Sequence, residues 1–173
     1  SVGFPGSAST DWQIAGVGDV NGDGKADLVW RHMSSGEVAI WLMNGATIAS
    51  SGFLGGVSLA WEIAGTGDVN GDGKADIIWR NGNTGTVAVW LMNGPAYVRG
   101  SIVLAEPLWS VSHVGDFNGD GAAEVIYNDE CFMWVYDGPT GAVRFATSTT
   151  SFTATESSLV ADVDGDGHAE MVM

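Results

Sequence analysis

The chain has 173 residues, 45% of them apolar, with 26 glycines against four prolines and a formal charge of −15. That apolar share excludes a disordered acidic tail, and the charge argues against nucleic acid or an anionic membrane surface as a partner while favouring cations. The single cysteine, Cys131, permits no intrachain disulfide and reads as a small buried hydrophobe within Cys131-Phe132-Met133-Trp134.

In chain order, Gly3-Phe4 lies 49 residues before Gly52-Phe53, so residues 1–11 read as the outer strand of a unit that precedes them. Trp12-Gln-Ile-Ala-Gly-Val-Gly-Asp19 then opens a repeat. An acidic glycine loop follows, then the apolar run Leu28-Val29-Trp30 and the polar turn Ser34-Ser35-Gly36. A third run, Val38 to Met43, ends at Asn44-Gly45. The pattern returns at Trp61, with Ile77-Ile78-Trp79, Asn83-Thr84-Gly85, Val87 to Met92 and Asn93-Gly94. It returns more weakly at Trp109, with a shorter hairpin around Asn128-Asp129-Glu130 and the ending Trp134-Val-Tyr-Asp137-Gly138. A fourth copy starts in residues 155–173.

Short β-branched and aromatic runs between glycine turns predict strands joined by hairpins. Four strands in roughly 48 residues make one antiparallel sheet per repeat. The runs barely alternate, so both faces of each sheet need cover, and radial stacking of such sheets is a β-propeller. The predicted fold is therefore all-β, with blades over 12–60, 61–108 and 109–154 and the beginning of another over 155–173. The N-terminal outer strand and the C-terminal inner strands are complementary. The expectation is that the chain belongs to a longer propeller, or that two copies close one ring.

Thirteen of the 21 acidic residues fall in the four loops, which start at Asp19, Asp68, Asp116 and Asp162. Each reads D-x-(N/D)-x-D-G-x-x-(D/E). In the first, Asp19, Asn21 and Asp23 occupy positions 1, 3 and 5, Lys25 position 7 and Asp27 position 9. The second uses Asp68, Asn70, Asp72, Lys74 and Asp76; the third Asp116, Asn118, Asp120, Ala122 and Glu124; the fourth Asp162, Asp164, Asp166, His168 and Glu170. Ca²⁺ takes six to eight oxygens at about 2.3–2.6 Å, and alternate side chains converge on one ion when the backbone curls around it. Glycine at position 6 permits the curl. Position 7 would give its carbonyl while the lysine ammonium points away, and position 9 would close the shell. Without a cation, three like charges crowd each loop. Four bound Ca²⁺ ions are therefore expected, and they would bring −15 to −7.

An EF-hand needs a bidentate Glu at position 12 between two helices. Position 12 here is Trp30, Trp79, Tyr127 or Met173, and the flanks are strand-like. The acid at position 9 with a following strand instead resembles the FG-GAP or VCBS repeats of integrin alpha-chain propellers and of many bacterial extracellular proteins. That resemblance implies a seven- or eight-bladed propeller with Ca²⁺ between the first two strands of each blade. It also implies a secreted or cell-surface location and a glycan or an extracellular protein as partner. The Glu at position 9 of the third and fourth loops departs from the pattern and bears on affinity.

All eight tryptophans sit at repeat-related positions, which assigns them first to packing between blades. Trp41 and Trp90 are the candidates for ligand contact. His32, His113 and His168 lack metal-ligand spacing, and no nucleophile, nucleotide or paired-carboxylate motif stands outside the loops. No stretch is long enough to span a membrane, and the N-terminal residues do not read as a signal peptide, so a chain that is mature, cut from something longer or made without its signal is expected. The reading favoured is a non-catalytic binding or adhesion module. The rivals are the propeller part of a polysaccharide lyase or hydrolase, with Arg31 and Arg80 as a basic ring, and a structural spacer.

Overall fold

A computed structural model describes residues 10–105, 110–128, 132–139, 142–148, 159–161 and 170–172. Strands β1 (Trp12–Gly18), β2 (Asp27–His32), β3 (Glu37–Asn44) and β4 (Thr47–Gly56) form one antiparallel sheet in sequence order. Strands β5 (Trp61–Gly67), β6 (Asp76–Asn81), β7 (Thr86–Met92) and β8 (Tyr97–Ala105) form the next. The third contains β9 (Ser110–Gly115), β10 (Glu124–Asn128), β11 (Phe132–Tyr136) and β12 (Val143–Ser148). Two short strands, β13 (Leu159–Ala161) and β14 (Glu170–Val172), pair antiparallel and begin a further sheet. The architecture is that of β-propeller blades, as the strand pattern predicts, and no helix occurs among the described residues.

Each meander carries the same register irregularity where its first strand meets its second, between Ile14 and Gly16, Ile63 and Gly65, and Ile126 and Tyr127. A bulge sharpens local twist, so its recurrence gives successive blades one shape. The inner strands lie side by side, β1 against β5 and β5 against β9. Glycine makes that approach possible. A Cβ added at Gly65 or Gly67 would stand 2.8 or 2.9 Å from a methyl of Val114.

The core lies between blades. Val29, Val38 and Ile40 of the first blade pack with Ile77, Trp79 and Met92 of the second. Ile78, Val87 and Val89 on the opposite face of the second blade pack with Val125 and Tyr127 of the third. Ile77, Ile78 and Trp79 are consecutive and all buried, so β6 is covered on both faces and needs no polar alternation. Leu28 and Trp30 hold the corresponding places in β2 but are only half-buried. Among the described residues no blade packs on that side of the first sheet. The difference between identical positions measures what a neighbouring blade covers.

Arg31, one candidate for a basic ring, is buried and serves instead as a clamp. Its guanidinium donates to the carbonyls of Gly36, Val57, Ser58 and Trp61, and its Cζ lies 5.2 Å from the ring centroid of Trp79. It thereby ties the β2–β3 turn of the first blade to the entry into the second. Arg80 pairs with Glu62 at 3.6 Å.

Candidate metal centre

Three of the four acidic loops lie within the described residues. In each, the position-1 aspartate is wrapped by its own backbone. Asp19 accepts the N–H groups of Gly22 at 2.7 Å, Asp23 at 3.1 Å and Gly24 at 2.6 Å. Asp68 accepts those of Gly71, Asp72 and Gly73 at 2.8, 3.1 and 2.6 Å. Asp116 accepts those of Gly119 and Gly121 at 2.7 and 2.9 Å. The position-3 Asn then accepts from the position-5 N–H, at 2.9 Å in the first two loops and 2.8 Å in the third. The curl needs a left-handed residue at position 6, where Gly24, Gly73 and Gly121 have φ of 80°, 81° and 90°.

Position 9 has a structural duty that the spacing alone did not reveal. Asp27 is fully buried; Oδ2 accepts the Val20 N–H at 3.1 Å and Oδ1 the Met43 N–H at 2.8 Å. Asp76 repeats this with Val69 at 3.2 Å and Met92 at 2.9 Å. The side chain therefore latches the loop to the end of the third strand. Glu124, one methylene longer, binds the Phe117 N–H at 2.9 Å but spends its other oxygen on the Asn118 side-chain amide at 2.8 Å. The Asp-to-Glu departure thus changes what the position-3 residue does.

One expectation is corrected. The ammonium at position 7 does not point away from the loop. Lys25 Nζ lies 3.1 Å from Asp23 Oδ2 and Lys74 Nζ 3.7 Å from Asp72 Oδ2. The Asp23 carboxylate also accepts the Lys25 N–H at 3.0 Å, and that tight turn brings the lysine stem back over it. Such exposed pairs contribute little in water, so an incoming cation displaces them readily.

The third loop gathers more acid than the others. Asp120, Glu124 and Asp137 each place an oxygen within 4.8 Å of the others, the one such trio found among the described residues. Asp137 was not among the residues expected at the site. Its signal in the sequence is that it stands where the first two repeats have Asn44 and Asn93. Residues 162–169, which include Asp162, Asp164, Asp166 and His168, lie outside the described residues, as do Trp109 and Cys131.

The electrostatics fit a hard divalent cation. Burial first, and then the charges of Asp68 and Asp72, push the Asp76 carboxyl up to about 6. Asp27 and Glu124 are raised for the same reasons, each by burial foremost and then by the two neighbouring loop carboxylates. Asp23 moves the other way because Lys25 bonds to it. A cation would favour the ionised form of position 9 in each of these loops, beside the amide and carboxylate oxygens of positions 1, 3 and 5. That is the oxygen-rich donor set Ca²⁺ takes, with three acids in each of the described loops.

The tryptophans pack as their repetition suggests. Trp79 is buried between blades, with Trp90 at 5.0 Å, and Trp30 meets Trp41 at 4.8 Å. Trp90 also meets Tyr97 at 4.7 Å, leaving a half-exposed aromatic pair at the outer edge of the second blade. His32 caps its turn through Ser35, and His113 lies on β9.

Sequence comparison matches the FG-GAP-like repeat three times, over residues 19–79, 68–127 and 116–173. Comparison with curated protein sequences returns no match. Among solved structures, the chain is similar to an Agrocybe aegerita lectin that recognises non-reducing terminal N-acetylglucosamine. The identity is 28% and the TM-score 0.58, over 83% of this chain and 39% of the lectin. The chain thus spans about two-fifths of that protein's length. Rhamnogalacturonan lyase YesW matches at 16% identity and TM-score 0.48, over 100% of this chain and 42% of the lyase. The V. cholerae biofilm matrix protein Bap1 matches at 18% identity and TM-score 0.39, over 91% of this chain and 30% of Bap1.

Proposed function

Since the chain belongs to the FG-GAP-like repeat family, we propose that its blades form a calcium-stabilised, non-catalytic module that binds glycans outside the cell. The observation that carries the glycan reading is the lectin likeness, at 28% identity over 83% of the chain. The loops support the calcium reading. Asp19, Asn21, Asp23, the Lys25 carbonyl and Asp27 would hold the first ion, and the equivalent residues the others. When bound, Ca²⁺ supplies charge neutralisation and fixes each loop. The chain's own part is to hold the position-1 aspartate by loop amides and to lock position 9 to the third strand. Millimolar extracellular Ca²⁺ would keep such sites filled without tight affinity.

The blades offer a sugar a rigid aromatic edge, and Trp90 beside the exposed Tyr97 is the place to test first. Pyranose rings present apolar C–H faces that stack on indole and phenol rings, which remain hydrogen-bond capable. A glycan array probed with the Ca²⁺-loaded chain is expected to show binding to glycans ending in N-acetylglucosamine. Trp90→Ala that folds should lose that signal at its blade. No glycan binding by the folded, Ca²⁺-loaded chain would overturn the glycan reading, and full binding by folded Trp90→Ala would remove that residue from the site.

A further inference from the structure

The third blade departs from the first two at four positions in and around its acidic loop. Ala122 replaces the position-7 lysine, Glu124 replaces Asp at position 9, and Asp137 replaces the asparagine after the third strand. The fourth departure is Arg144. Strand register pairs Val143 with Tyr136, Tyr97 with Met92 and Ile48 with Met43, so Arg144 stands where the other blades have Val98 and Ala49. Where this blade loses the loop lysine and gains an acid, it gains a guanidinium.

That guanidinium is seated on the acidic trio. Arg144 Nε lies 2.9 Å from Asp137 Oδ1, and Nη2 bonds the same oxygen. Nη2 also lies 3.5 Å from Asp120 Oδ2. The Asp137 side chain is 3% exposed and that of Arg144 52%, so the arginine reaches in from the solvent side to a carboxylate with little access to water. The ion pairs raise the Arg144 pKa further, so it stays charged at any working pH.

We propose that Arg144 is a built-in counter-ion for the third loop. It sits on Asp120 and Asp137 where a divalent cation would otherwise neutralise them. This loop therefore orders without metal, and Ca²⁺ enters it only when the guanidinium swings out. The first two loops have only weak Lys–Asp pairs and depend on the ion. The inference rests on the calcium reading of the loops and assigns them unequal affinities.

Calorimetric titration of the chelated chain with Ca²⁺ tests it. Arg144→Gln should tighten one site at least tenfold, because three converging carboxylates are then left to the ion. Adding Asp120→Ala should abolish that gain, and Arg144→Lys, which keeps the charge but loses the forked contact, should fall between wild type and Arg144→Gln. A second readout covers poor folding of Arg144→Gln: it should melt below wild type in EDTA and recover in excess Ca²⁺. Unchanged or weaker Ca²⁺ binding in folded Arg144→Gln, or a melting deficit that Ca²⁺ does not relieve, overturns the proposal. Ca²⁺ binding by the wild-type chain that Asp23→Ala reduces would leave the general calcium reading standing whatever Arg144 does.

Discussion

Chelation with EDTA is expected to lower the melting temperature of this chain by about 10–20 °C, and Ca²⁺ to restore it more fully than Mg²⁺. An ion that binds only the folded state stabilises it by about 2.7 kcal/mol per site when its concentration is a hundredfold above Kd. Two such sites, the first and second loops, contribute roughly 5 kcal/mol, and a chain of this size shifts by about 2–4 °C per kcal/mol. The direction follows from the loop chemistry. Asp27 and Asp76 are buried acids whose carboxyls are raised by neighbouring carboxylates as well as by burial. A cation relieves that repulsion, and the unfolded chain has no such site to fill. Mg²⁺ demands octahedral geometry and keeps its waters, so it suits a loop of this kind poorly. Differential scanning calorimetry in EDTA, Ca²⁺ and Mg²⁺ checks the ordering, and overlapping curves would count against it.

Arg31→Met is expected to destabilise the chain by about 3–5 kcal/mol, by analogy with removing one partner of a buried charged network. The buried guanidinium serves four carbonyls, those of Gly36, Val57, Ser58 and Trp61. Methionine keeps much of the volume and satisfies none of them. Gly36 has φ of 74° in the turn Arg31 braces, so the loss falls where the chain has little freedom to compensate. Arg99, exposed on β8, is the control, and Arg99→Met should stay within about 0.5 kcal/mol. Urea denaturation in saturating Ca²⁺ separates the two. An Arg31→Met midpoint equal to that of wild type would show that the clamp contributes little.

The blades were legible because the repeat shows its own phase. Tryptophan, glycine loop, apolar run and Asn-Gly turn recur in one order, and each recurrence tests the strand assignment made from the others. The loops were legible because alternate oxygens followed by glycine suit a curl around a cation. What stayed hidden depends on contacts across strands. Asp27 gives no sign in its own loop that it also holds Met43, 16 residues on. Arg144 lies 24 residues after Asp120 and meets it only through the register of β11 with β12. Asp137 shows as one Asn-to-Asp change in the repeat, which gains meaning only when Arg144 is placed beside it. Arg31 likewise recurs as Arg80, yet its clamp depends on where the next blade enters.

Direct titration of the chelated chain with Ca²⁺ tests the central claim most plainly, with wild type run beside Asp23→Ala and Asp72→Ala. The account predicts saturable binding to several sites, with each variant losing or weakening one site and leaving the others filled. Absence of saturable binding in the folded wild-type chain, or stoichiometry and affinities unchanged in both variants, would contradict it.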